Sequence, residues 1–195
     1  MSQNIEIEFK NMLSEDEFNK IVNHFHLTAT DFFKQENHYF DTKDFALKQH
    51  RCALRIREKK DHFEMTLKEP HQDGLLETNE NLDDEYARQL LNGSHIKDGI
   101  IKGQISALNI NTDDLLYFGS LVTERTEFTY QGGLLVLDCS SYLNIKDYEV
   151  EYEVSNRDNG KSIFLHLLAE LNIPIRKTEN KVKRFYDRKK IIGLQ

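Results

Sequence analysis

The chain is poor in cysteine and proline, and it lacks any long apolar run. Its two cysteines, Cys52 and Cys139, both fall in segments that read as strands. Two thiols so placed make neither a secreted disulfide scaffold nor a zinc site, which points to buried free thiols in a reducing compartment. No apolar run approaches the roughly 20 residues of a membrane-spanning helix, and the N-terminus has no apolar leader core. The sequence therefore reads as a cytoplasmic protein. With two prolines and no repeat, low-complexity tract or Pro/Gly/Ser-rich linker in 195 residues, a single domain over 1–195 is the simplest expectation. Positive charge is also in deficit: 26 Lys and Arg stand against 33 Asp and Glu, a net charge of -7. That leaves no global basic field for nucleic acid or an anionic membrane, so a polyanion would need a local basic cluster. The expected partner is a small molecule, and the expected assembly a monomer or homodimer.

What the chain has in quantity is strands with one charged face. In Ile5-Glu6-Ile7-Glu8-Phe9-Lys10, alternation puts Ile5, Ile7 and Phe9 on one side and Glu6, Glu8 and Lys10 on the other. Tyr148-Glu149-Val150-Glu151-Tyr152-Glu153-Val154 repeats the arrangement near the far end. Between them, Ala53–Glu58 and His62–Glu69 read as a hairpin around Lys59-Lys60-Asp61, ended by Pro70. Its charged faces carry Arg55 and Arg57, then Glu64 and Lys68. Leu75–Glu80 reads as a strand with Glu77 and Asn79 on one face, and His38–Thr42 as a shorter one. A further hairpin, Leu121–Tyr130 with Leu134–Ser140, turns around Gly132-Gly133 and carries Arg125, Glu127 and Asp138. Phe45-Ala46-Leu47 reads as a turn or strand.

Helices fill the intervals. Ser14 and Glu17 have capping-box spacing ahead of Phe18, Ile21, Val22 and Phe25, which predicts a helix over about 15–26. Residues 83–92 read as a helix stopped by Gly93, and 94–118 as one or two short helices. A helix over about 160–172 carries Ile163, Phe164, Leu167, Leu168 and Leu171, and the basic tail from Asn180 to Lys190 reads as a last helix. Strands joined by hairpins, with helices between them, indicate an antiparallel α+β architecture.

The charged faces are either the wet sides of ordinary sheets or the lining of one enclosure. Same-face neighbours on a strand sit about 6.6 Å apart. Two carboxylates at that spacing repel by about 2.5 kcal/mol at an effective dielectric of about 20, and by about 0.6 kcal/mol in water. A wet face tolerates this, whereas an enclosed one needs cations among the acids. Strand after strand carries long charged residues with little Ser, Thr or Gln, and cationic strands accompany anionic ones. A closed barrel with a charged lumen and helix-covered apolar outer faces explains the set, inverting the usual small barrel. Arg and Lys bind phosphate oxygens, while carboxylates hold Mg²⁺ or Mn²⁺, so such a lumen suits a short polyphosphate.

The series Glu6-x-Glu8-x-Lys10, Tyr39-Phe40-Asp41-Thr42, Leu54-Arg55-Ile56-Arg57, Thr66-Leu67-Lys68, Arg125, Leu137-Asp138 and Glu149-Val150-Glu151 resembles the CYTH superfamily of triphosphate tunnel metalloenzymes. That superfamily includes class IV adenylyl cyclases and thiamine triphosphatases. The chain looks most like its small bacterial branch, many of whose members carry an adenylate-cyclase label. The resemblance runs from residue 5 to about residue 186. It implies an eight-stranded antiparallel β-barrel tunnel with helices packed outside, and Mg²⁺- or Mn²⁺-dependent chemistry on triphosphates. By the same resemblance Glu6, Glu8, Asp138, Glu149, Glu151 and Glu153 are the expected metal ligands. Lys10, Arg55, Arg57, Lys68, Arg125, Lys181 and Arg184 are the expected substrate-binding residues, and Glu6, Glu8, Lys10, Arg57 and Glu151 the catalytic set. Lys181 and Arg184, spaced i and i+3, would share one helix face at a tunnel mouth. Asn79 departs from relatives that carry a second acid after Glu77. The eight histidines show no metal-ligand spacing. The implied function is a triphosphatase acting on tripolyphosphate or a similar triphosphate. The alternatives are a cyclase converting ATP to cyclic AMP and pyrophosphate, and a non-catalytic nucleotide or polyphosphate sensor.

Overall fold

The computed structural model describes residues 1–60 and 62–193, so Asp61 of the Lys59-Lys60-Asp61 turn lies outside the described residues. The strands are β1 (Ser2–Leu13), β2 (Phe33–Thr42), β3 (Ala53–Lys59), β4 (His62–His71), β5 (Gly74–Leu82), β6 (Leu115–Tyr130), β7 (Gly133–Tyr142) and β8 (Ile145–Val154). They close into an antiparallel barrel in the order β1-β5-β4-β3-β2-β6-β7-β8. The helices are α1 (Glu15–His24), α2 (Ala46–Gln49), α3 (Asp84–Leu91), α4 (Ile100–Ala107), α5 (Arg157–Glu170) and α6 (Lys181–Ile191). The chain divides into two compact units, one of Met1–Ile5 with Gln35–Ser120 and the other of Glu6–Lys34 with the chain from Leu121 onward.

In the first unit the apolar faces of β2, β3 and β4 present Phe40, Leu54, Ile56, Phe63, Met65 and Leu67. Tyr86, Ala87 and Leu90 of α3 and Ile101 and Ile105 of α4 cover them. The opposite face of β3 and β4 holds Arg55, Arg57, Glu64, Thr66 and Lys68, and β5 adds Glu77 and Asn79, aligned by Arg55↔Thr66, Arg57↔Glu64 and Lys68↔Glu77. α3 starts where the Asp83 side chain accepts from the Tyr86 N–H and ends at Gly93, whose φ of +93° is the left-handed value glycine adopts most readily. Asp41 is buried and accepts from the backbone N–H groups of Thr42, Leu47 and Lys48, which wraps the chain into the single turn of α2. That satisfied bend, rather than a strand, is what Phe45-Ala46-Leu47 forms.

The second unit repeats the layering. Leu135 and Leu137 of β7 and Val150 and Tyr152 of β8 pack under Phe18 and Ile21 of α1 and Phe164, Leu167 and Leu168 of α5. Phe164 stacks on Tyr152 with ring planes 6° apart. The capping box at Ser14 is complete, with Glu17 N–H donating to Ser14 Oγ and the Ser14 N–H to Glu17 Oε2. In both units the apolar strand faces lie under helices and the charged faces lie opposite, as the alternation predicts. Burying large aliphatic and aromatic side chains supplies most of the favourable free energy, at about 25 cal/mol per Å².

Several boundaries differ from expectation for identifiable reasons. β6 begins at Leu115, because a short apolar run such as Leu115–Phe118 carries no period that separates helix from strand, and β2 begins at Phe33, through the polar residues 34–37 that show no apolar alternation. Pro70 does not end β4: it pairs with Leu75 beyond Lys68, the last β4 residue aligned with β3. A missing N–H is tolerated where a strand has outrun one neighbour. The β6–β7 turn is Gln131-Gly132, both at positive φ, one residue earlier than expected. Gly133 already pairs with Tyr130, and a Cβ there would meet Tyr152 Cε2 at 2.6 Å. Leu143-Asn144, also at positive φ, makes the tight β7–β8 turn that no glycine announces.

Gly160 faces Val154, where an added Cβ would lie 2.5 Å from Cγ2. Gly160→Ala improves helix propensity yet overpacks this contact, so it should destabilise by about 1–3 kcal/mol in urea unfolding. A stabilised variant would contradict the close α5–β8 packing.

Candidate functional site: two charged barrel walls

The acid-rich wall belongs to the second unit. Cross-strand register places Asp138 opposite Glu149 and Lys10 opposite Glu151, while Glu8 lies opposite Glu153. Asp138 and Glu149 are completely buried and Glu151 nearly so. Arg125 donates from Nε and Nη2 to the two Asp138 oxygens, at 2.7 and 2.6 Å, and from Nη2 to Glu151 Oε2 at 2.9 Å. Lys181, the first residue of α6, inserts its Nζ among Asp138 (2.9 Å), Glu149 (3.0 Å) and Glu151 (2.7 Å). Arg184, one turn on, reaches Glu149 at 2.6 Å and Asp147 at 3.0 Å. Lys10 pairs with Glu8 and lies 3.9 Å from Glu151. Asn180 caps α6 through the Lys183 N–H, which sets the phase that turns Lys181 and Arg184 to the same carboxylates.

The ionisation follows from these contacts. Burial pushes the Asp138 and Glu151 carboxyls up, but Arg125 and Lys181 outweigh it and hold both below the usual range. Burial pushes Lys181 down, but the three carboxylates raise it well above an ordinary lysine. Glu149 is raised by burial and by Glu151 despite Lys181, Arg184 and Lys10, and among the described residues its Oε1 is buried without a hydrogen bond. Glu153 is pushed up to about 7 by burial and by the like charges of Glu6, Glu151 and Glu8.

The cationic wall belongs to the first unit. Arg57 donates from Nε to Asn37 Oδ1 at 3.1 Å, which fixes the plane of its guanidinium. Lys68 Nζ lies 2.5 Å from Glu77 Oε1. Burial raises the Glu77 carboxyl, but Lys68 and Arg55 bring it to about 2. Arg55 has a buried Nε that makes no hydrogen bond. Asn79 accepts from the Thr66 hydroxyl at 2.8 Å, so here it serves the wall's hydrogen bonding.

Thus Lys10, Glu8, Arg125, Asp138, Glu149, Glu151, Lys181 and Arg184 meet in one ionic network, with Glu6 and Glu153 electrostatically coupled beside it. Arg55, Arg57, Lys68 and Glu77 group on the other unit's charged face. Sequence reasoning missed Asp147 and Asn37. Asp147 shares the β8 face of Glu149 by the same period of two, so the signal was present. Asn37 is visible only through its pairing with Arg57. Sequence reasoning also found no ligand spacing among the histidines, whereas His38 groups with Glu36 and Glu58 across two strands.

The acid-rich wall supplies carboxylate oxygens, and among the described residues Glu149 Oε1 is buried without a hydrogen bond, which is the ligand chemistry of a hard divalent cation. A closed antiparallel barrel whose charged strand faces lie opposite its helix-covered apolar faces defines a class of tunnel proteins. The CYTH domain family model matches residues 4–186, and the chain belongs to that family. A Bacillus subtilis (strain 168) protein named "Putative triphosphatase YjbK" is 49% identical over 190 residues, covering 97% of this chain and 98% of that protein. A Bacillus halodurans crystal structure, named "putative adenylate cyclase", is 41% identical with a TM-score of 0.92 over 95% of this chain and all of that one. The Hippeastrum protein HpAC1 shares the fold at 21% identity and a TM-score of 0.73, covering 94% of this chain and 96% of that one.

Removing one member of a buried ionic network strands its partners. Arg125→Met should cost about 3–5 kcal/mol by urea denaturation, and an unchanged midpoint would contradict the network. Glu153, with a folded pKa raised above its unfolded value, favours the folded state while protonated and loses that contribution as pH rises from about 4.5 to about 7. In EDTA, Glu153→Gln should therefore raise the melting temperature by a few degrees at pH 8 and leave it unchanged at pH 4. Equal effects at both pH values would show that Glu153 carries no such strain.

Proposed function

We propose that the protein is a divalent-metal-dependent triphosphatase acting on inorganic tripolyphosphate or a similarly compact triphosphate. The observation that carries this reading is a pair of unmet polar atoms of opposite kind. Among the described residues, Arg55 Nε is a buried donor without an acceptor, and Glu149 Oε1 a buried acceptor without a donor. A phosphate oxygen satisfies the first and a metal ion the second.

In this reading Glu6, Glu8, Glu149 and Glu153 hold the ion, with Asp138 and Glu151 engaged mainly by Arg125 and Lys181. When bound, the ion polarises phosphate oxygens and lowers the pKa of its water. Arg55, Arg57 and Lys68 of the first unit are read as phosphate-binding residues, as are Lys10, Arg125, Lys181 and Arg184 of the second. Asn37 keeps the Arg57 fork oriented, and Glu151 keeps Lys10, Lys181 and Arg125 in place. Water attacks the terminal phosphorus in line, and the basic residues stabilise the charge that passes to the departing pyrophosphate. The products are phosphate and pyrophosphate. The name of the 41%-identical Bacillus halodurans relative supports a second reading, in which the ribose 3′-hydroxyl of ATP attacks the α-phosphorus and pyrophosphate leaves.

Incubation with tripolyphosphate, ATP or thiamine triphosphate, each with Mg²⁺, Mn²⁺ or EDTA, separates these readings. Metal-dependent phosphate release from tripolyphosphate is the expected result. Cyclic AMP with pyrophosphate would select the cyclase, and no turnover of any substrate would select a sensor. Arg57→Ala and Glu151→Gln should each lower turnover by about 100-fold or more while circular dichroism stays unchanged. Wild-type rates in either would overturn the site assignment.

A further inference from the structure

The outer face of the β2–β3 pair carries a group of side chains that the charged walls do not use. Register places Glu36 opposite Glu58 and His38 opposite Ile56. Ile56 lies in the apolar cluster beneath the helices, so this face is turned away from Arg55 and Arg57. One ligand atom each from Glu36, His38 and Glu58 lies within 4.8 Å of the others. The His38 side chain is 10% exposed and that of Glu58 40%.

A second observation concerns the imidazole itself. Its Nδ1 lies 3.3 Å from the Tyr117 hydroxyl, which can fix the ring and its tautomer. Its Nε2 is buried, makes no hydrogen bond and faces Glu58 Oε2 at 3.8 Å. In the tautomer that carries its proton on Nδ1, the ring donates to the Tyr117 hydroxyl and Nε2 presents a lone pair toward Glu58, with Glu36 beside it. Three electron-rich atoms facing one another call for a cation between them.

We propose that Glu36, His38 and Glu58 form a binding site for a zinc-class divalent transition-metal ion on the outside of the barrel, distinct from the carboxylates of the acid-rich wall. An imidazole nitrogen suits Zn²⁺, Ni²⁺ or Cu²⁺ better than Mg²⁺, which prefers an all-oxygen shell rich in water. Tetrahedral bonds of about 2.0–2.1 Å put donors about 3.4 Å apart, a contraction that rotation of the exposed Glu58 side chain supplies. Three protein ligands leave a coordination position for water or an exogenous ligand. Tyr117 acts as a positioning residue through the opposite ring nitrogen.

The test is calorimetric titration of the purified protein with Zn²⁺, in which binding at this group is the equivalent that its own variants lose. Wild-type protein should bind one equivalent that His38→Gln abolishes. Glu58→Gln, a near-isosteric change at a half-exposed position, should weaken it strongly, and Tyr117→Phe by about tenfold. His24→Gln removes another histidine near a glutamate and should change nothing. Failure of wild-type protein to bind Zn²⁺ would overturn the proposal, as would equal binding by His38→Gln and Glu58→Gln. Neither result depends on the triphosphatase reading.

Discussion

The cost of placing carboxylates on every second residue of a buried strand governs this structure. Asp138, Glu149 and Glu151 sit where water is largely excluded, and without compensation each pair would repel by a few kcal/mol. Lys181 and Arg125 supply that compensation from a helix and a neighbouring strand. Because Lys181 and Arg184 both reach this wall from α6, the C-terminal helix is tied to β8 by charge, while Phe185 packs on Tyr142 at the end of β7. The polar interior and the position of α6 are therefore one feature.

The same constraint explains where the apolar residues went. A barrel whose inner wall is spent on charge must build its hydrophobic core outside, and each unit does so with its own helices. Compensation is also incomplete, and the incompleteness is chemically pointed. Burial and neighbouring acids push Glu153 up to about 7, and among the described residues Glu149 keeps an unmet oxygen and Arg55 an unmet donor. Such unmet groups are costly in a folded protein and concentrate at sites that bind something.

Much of this was legible in the residues alone. The period of two in Glu6-Glu8-Lys10 and Glu149-Glu151-Glu153 was enough to separate charged from apolar faces, and Ser14 and Gly93 marked helix ends by capping chemistry. What was not legible depended on neighbours distant in sequence. Lys181 read as a helix-face residue, and nothing local indicated that it would sit among three carboxylates. Asn37 gains meaning through register with Arg57, and His38 through register that brings Glu58 beside Glu36. Leu143-Asn144 formed a tight turn without glycine, where pairing of the flanking strands overrode local preference. Pro70 misled for the converse reason, since its missing donor fell beyond the reach of β3.

The most direct measurement is the anomalous diffraction of crystals grown with Mn²⁺ and a non-hydrolysable tripolyphosphate analogue. The account predicts a manganese peak against Glu149 Oε1 and its neighbouring glutamates, with phosphate oxygens on Arg55 and Arg57. Manganese absent from those carboxylates, or an analogue bound only on the outer surface, would contradict it.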